Sequence, residues 1–99
     1  MLFAVIHRFH NNSTRERLAV RDEHLEYLKG AANRLKLAGP LLERDDEGDA
    51  SGSLIIIDAQ SHGAARLVAN NDPYVKAEIV ASTEVRAWKA VIGDWMPAD

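Results

Sequence analysis

The chain has 99 residues and 10.9 kDa, with 46% hydrophobic and 27% charged residues, a net charge of −3 and no cysteine. That size predicts one domain, 1–99, exposing about 5,600 Å² when folded, with about 65% of the unfolded surface buried. Lack of cysteine excludes disulfides, thiolate zinc and a cysteine nucleophile, and it fits a cytoplasmic location without requiring one; short apolar runs exclude a membrane span, and the charge balance argues against non-specific nucleic-acid binding.

Residues 2–9 (Leu-Phe-Ala-Val-Ile-His-Arg-Phe) are β-prone and apolar on both faces, and read as a first strand rather than a signal peptide. Asn11-Asn12-Ser13 breaks it. Ser13-Thr-Arg-Glu16 matches a capping box, predicting a helix over 14–33. Leu18, Leu25, Leu28 and Ala32 form its apolar stripe. Residues 34–41 predict a second strand with Leu35, Leu37 and Leu41 on one face, and Pro40 places that strand at a sheet edge. Residues 43–52 read as a polar connection, and 53–58 (Ser-Leu-Ile-Ile-Ile-Asp) as a third strand. Ser61 caps a second helix over 62–70, which Asn70-Asn71-Asp72-Pro73 stops. A short helical turn over 74–77 leads into a β-prone stretch, 78–92, and a short tail, 92–99, that holds Trp95.

The order β-α-β-β-α-β predicts a ferredoxin-like α+β sandwich: a four-stranded antiparallel sheet with two helices on one face. The other face then needs a cover, and a second copy of the chain is the simplest one. Phe3, Val5, Ile55 and the last strand are expected in that homodimer contact.

Four segments, in this order, carry a resemblance. They are the helix text from Arg17 through His24 to Leu28, then Ala38-Gly39-Pro40, then Asn71-Asp72-Pro73-Tyr74, then Val85-Arg-Ala-Trp88. The series resembles the YCII-related (YciI-like) family over roughly residues 1–92. The resemblance implies a ferredoxin-like fold that dimerises as a dimeric α/β barrel, and an active site built around a helix histidine and an aspartate. A related member is a dehydrochlorinase acting on a chlorinated hydroxyquinol, and muconolactone isomerases share the wider fold group. Two positions depart from the pattern: Ala87, where proline is frequent, and Glu78, where a small residue is common and the pocket rim is affected.

His24 is the sharpest catalytic candidate. On a helix it shares one side with Arg17, Arg21 and Leu28. A histidine exchanges protons near neutral pH, and neighbouring guanidinium groups favour its neutral, proton-accepting form while holding a carboxylate or enolate oxygen. The plainer reading is a surface histidine beside solvated arginines. Asp72 before Pro73 is an ordinary helix start, and can also orient the His24 imidazole. Tyr74 is a pocket wall with a phenolic donor, or simply a packing residue. Gly39-Pro40 is most simply a backbone constraint; Pro40 is also a candidate substrate contact together with Arg17, Arg21 and Tyr74.

His7 and His10 point to opposite faces of a strand, and His62 reads as solvated, so no metal site is expected. The acidic run 45–49 lacks calcium-loop spacing and reads as a solvated connection. Phosphate-loop and nucleophile-elbow motifs are absent. The residues therefore point to a small homodimeric enzyme, without cofactor or metal, that moves protons on a small polar or aromatic-derived acid by isomerisation or elimination. Its alternative is a non-catalytic dimer that binds a small molecule or is structural.

Overall fold

The computed structural model describes residues 1–31, 34–45 and 47–96. Four strands, β1 (Leu2–Phe9), β2 (Leu35–Arg44), β3 (Glu47–Asp58) and β4 (Val80–Trp88), alternate with helices α1 (Thr14–Lys29), α2 (His62–Asn70) and α3 (Pro73–Lys76). The strands form one sheet in the order β2-β3-β1-β4, with every neighbouring pair antiparallel. This is the ferredoxin-like α+β architecture. Pro40 lies on the edge strand β2, where its missing N–H costs no ladder bond toward a further strand.

The helices cover one sheet face. Phe3, Val5, Ile55, Ile57 and Val85 pack there against Leu28 of α1 and Ala65 and Ala69 of α2. The dimer-contact expectation for Phe3, Val5 and Ile55 is therefore corrected, since these side chains form the core. Strands alternate faces, so the open face carries the opposite parity. On it, Ala4 lies between Ile56 and Arg86, and Ile6 between Leu54 and Glu84.

Other expectations shift for identifiable reasons. The Ser13 capping box does not form: Ser13 makes no side-chain cap, and α1 begins with the Arg17 N–H donating to the Ser13 carbonyl. The helix ends at Lys29, with Gly30 as its cap; Ala32 and Asn33 lie outside the described residues. Leu18 is 58% exposed, so the α1 stripe reaches the core chiefly through His24 and Leu28. The polar connection 43–52 is mostly sheet, because β2 and β3 pair as a long hairpin out to Arg44 and Glu47. A register shift between Leu35 and Leu37 splits the expected leucine face: Leu35 pairs with Ile57 and joins the core, while Leu37 pairs with Ile56. The last strand starts at Val80, because Glu78 adopts a left-handed φ of 61° and turns the chain.

The folded chain exposes 6888 Å², against the roughly 5,600 Å² that its mass predicts for a compact monomer. Part of that excess is the open face, where Leu37, Leu41 and Leu54 stay substantially accessible. Among the described residues, no helix is long and apolar enough to cross a membrane.

Candidate functional site

The α2–α3 junction holds the first half of the site. Ser61 caps α2 by accepting from the Ala64 N–H. α2 ends at Asn70, and Asp72 starts α3, with Pro73 in the first helical position. Asp72 Oδ1 accepts the Tyr74 N–H at 2.9 Å, an ordinary N-cap that also fixes the carboxylate. Asp72 is 1% exposed. A buried carboxylate demands partners, and the second is His24 of α1, whose Nδ1–H donates to the same Oδ1 at 2.8 Å. The pair spans 48 positions of sequence.

Capping and imidazole orientation thus coexist at Asp72. Tyr74 adds a third constraint. Its ring stacks on the His24 imidazole, with centroids 3.9 Å apart and planes 7° from parallel, and it meets Phe9 edge-on. Burial pushes the Tyr74 phenol above its ordinary pKa, and the neighbouring Arg17 guanidinium opposes that shift. The Tyr74 hydroxyl therefore keeps its proton at neutral pH.

His24 opens onto a cleft of about 400 Å³ between α1 and the β2–β3 hairpin. Arg17, Arg21, Tyr74 and Pro40 line it, together with Phe9, Leu25, Leu28 and Ile55. Asp72 stands behind His24 rather than on the wall. With Nδ1 committed to Asp72, the proton-accepting atom left to His24 is Nε2, which has no hydrogen-bond partner among the described residues and is not sealed from solvent. Arg21 is exposed at the rim. Arg17 is only 12% exposed in its side chain; it lies over the Phe9 ring, and its buried Nε has no partner. Of the two arginines, Arg17 is the better fixed for holding an anion in a partly dry site.

Several residues here were not singled out from the sequence. Asp49 pairs with Arg17 at 3.8 Å and accepts from the Thr14 hydroxyl at 2.8 Å, so the acidic run is not wholly solvated; Asp46 lies outside the described residues. Ser53 lines the cleft with a buried, unpartnered hydroxyl. His7 is fully buried beside Asp72. Its signal was the parity Phe3-Val5-His7, which assigns it to whichever face the core takes. His62 donates from Nε2 to the Val85 carbonyl and is not simply solvated. Glu78 is exposed and stands off the cleft wall. Among the described residues, no group of three or more His, Asp or Glu is arranged to hold a metal ion.

Known proteins share this arrangement of chain. The YCII-related domain family matches residues 1–89. An uncharacterised protein of Haemophilus influenzae is 41% identical over 86 residues, covering 81% of this chain and 88% of its own. Protein YciI of Escherichia coli is 34% identical over 97 residues, covering 92% of this chain and 99% of its own. Among solved structures, the 5-chloro-2-hydroxyhydroquinone dehydrochlorinase of Burkholderia phenoliruptrix AC1100, in complex with 2,5-dihydroxybenzoquinone, superposes with a TM-score of 0.83 at 30% identity. That match covers 90% of this chain and 94% of the dehydrochlorinase. A match over nearly the whole length, joined by relatives above 30% identity, establishes that this chain belongs to the YCII-related family.

Proposed function

We propose that the protein is a homodimeric, cofactor-free enzyme of proton transfer, acting on a small oxygenated acid or aromatic-derived acid by elimination or isomerisation. The observation that carries this reading is the 2.8 Å bond from His24 Nδ1–H to Asp72 Oδ1, which leaves Nε2 to act in a cleft that also holds two arginines. The likeness to a dehydrochlorinase of 30% identity supports elimination as the first reaction to test.

In this reading His24 Nε2 takes a proton from substrate, and Asp72 stabilises the imidazolium that results. Electrons left by that proton move onto a substrate oxygen, which Arg17 and Arg21 hold as an oxyanion. Elimination is completed when the electron pair returns to form a double bond and a leaving group such as chloride departs with its own pair. In isomerisation, His24 returns the proton to another carbon instead. Phe9, Leu25, Leu28 and Ile55 supply apolar walls that suit a ring.

The test is a screen of small carboxylates, lactones and halogenated phenols by thermal shift, followed by turnover assays. With a substrate in hand, His24→Asn loses about 10²–10⁴-fold in rate while the melting temperature changes little. Asp72→Asn keeps the cap, so a fall in rate with an intact fold reports its service to His24. A true substrate converted at the wild-type rate by His24→Asn removes His24 from the chemistry, and ligands that bind without any turnover leave a binding dimer.

A further inference from the structure

The helix-covered sheet face changes character along its length. Phe3 lies between Ile57 and Ala87, and Val5 between Ile55 and Val85, so these rows are apolar. In the next row His7 lies between Ser53 on β3 and Thr83 on β4. His7 is 0% exposed. A fully buried imidazole replaces an apolar side chain at a desolvation cost and needs partners to offset it.

Its Nδ1 lies 2.9 Å from the Thr83 hydroxyl. Its Nε2 faces Asp72 Oδ2 at 3.7 Å, and both of those atoms are buried without a hydrogen-bond partner. The separation is longer than an N–H···O bond of about 2.7–3.2 Å, yet shorter than the roughly 4.5 Å that a bridging water needs. A direct bond, reached by a small movement, is the arrangement that satisfies both atoms.

We propose that His7 is a positioning residue for the His24–Asp72 pair: the Thr83 hydroxyl donates to Nδ1, and Nε2–H holds Asp72 Oδ2 from behind. The carboxylate is then fixed at both oxygens, Oδ1 by the Tyr74 N–H and His24, Oδ2 by His7. It cannot turn about its Cβ–Cγ bond, and the His24 ring keeps its Nε2 aimed into the cleft. The charged and titratable groups that act on His7 are Asp72, His24 of α1 and Arg66 of α2. Burial lowers the pKa of His7; Asp72 works against that, while His24 and Arg66 add to it. A neutral His7 has one N–H to give, and Thr83 decides which nitrogen carries it.

This inference deepens the proposed function and takes its catalytic meaning from it, but its test needs no substrate. The full chain is examined without ligand by long-range ¹H–¹⁵N NMR of the histidine rings. His7 is expected neutral near pH 7 with its proton on Nε2, and Thr83→Val is expected to mix the two tautomers. His7→Leu is expected to speed solvent exchange of the His24 Nδ1–H by about tenfold or more, the effect of one lost bond to a charged group. His7→Gln, which keeps an N–H donor near the Nε2 position, restores slow exchange. A His7 proton on Nδ1, or wild-type exchange at His24 in His7→Leu, overturns the inference. If His7→Leu does not fold, the wild-type tautomer and His7→Gln decide it. A protein wired this way but inactive on every substrate would defeat the proposed function and leave this inference standing.

Discussion

The two faces of the sheet are built from similar aliphatic side chains, and their fates differ. Under the helices, Phe3, Val5, Ile55 and Ile57 are at most 3% exposed. On the other face, Leu37 is 48% and Leu54 37% exposed, with Trp88 at 47%. The open face is also mixed: toward β4 it carries Arg8, Glu84 and Arg86, joined by exposed ion pairs that contribute little to stability. At one end of the covered face lies the polar row of His7, Ser53 and Thr83, where His7 faces Asp72. Helical cover therefore makes both a core and, at one edge, a dry polar site. The open face has apolar surface without cover, and we read it as the surface of a homodimer.

Four experiments probe that contrast. Phe3→Ala empties part of the core beneath the helices and is expected to cost about 3–5 kcal/mol by chemical denaturation, the usual range for a buried aromatic. A loss near zero would mean that the covered face is not the core. Gly52→Ala acts where β3 lies against β1, since a Cβ there would run into the His7 carbonyl. Shifting backbone rather than a side chain is expected to cost about 1–3 kcal/mol and to disturb the polar row. A silent Gly52→Ala would show that the strands have room to part.

The third experiment varies pH. The folded-state pKa of His7 is lowered from the ordinary 6.5. Below 6.5 the unfolded chain takes a proton at this position that the folded chain refuses, until the lowered value is reached. The stability that His7 confers as a neutral group is thus complete above about 6.5 and is lost as pH falls through that window. Denaturation midpoints measured across it should decline in the wild type as pH falls and lose this component in His7→Leu; a flat profile would mean that His7 takes its proton as readily in the folded as in the unfolded state. The smallest effect on the protomer is expected from Leu54→Lys, about 0.5 kcal/mol or less, because Leu54 is already exposed. Its consequence is for assembly: sedimentation at micromolar concentration should change from twice 10.9 kDa to a monomer. A monomeric wild type would break the comparison, since the open face would then be exposed by choice.

Element order, the edge position at Pro40 and the caps at Ser61 and Asp72 were legible in the sequence alone, the edge because proline lacks an N–H for a ladder and the others because they depend on neighbours within a few residues. The same local chemistry misled at Ser13, whose capping-box text is satisfied instead by a backbone bond from Arg17 to the Ser13 carbonyl. Helical spacing likewise put Arg17, Arg21 and His24 on one side before any fold was considered. Which strand parity looks inward was beyond it. Alternation defines two faces but does not name the covered one, and a single register shift between Leu35 and Leu37 exchanges them. The meeting of His7, His24 and Asp72 was likewise a tertiary outcome: they come from β1, α1 and the turn before α3, and no local rule joins elements so far apart. Burial there strips water from His7 and Asp72, so their polar atoms turn to neighbours brought by other elements: His24 and the Tyr74 N–H for Asp72, and the Thr83 hydroxyl for His7.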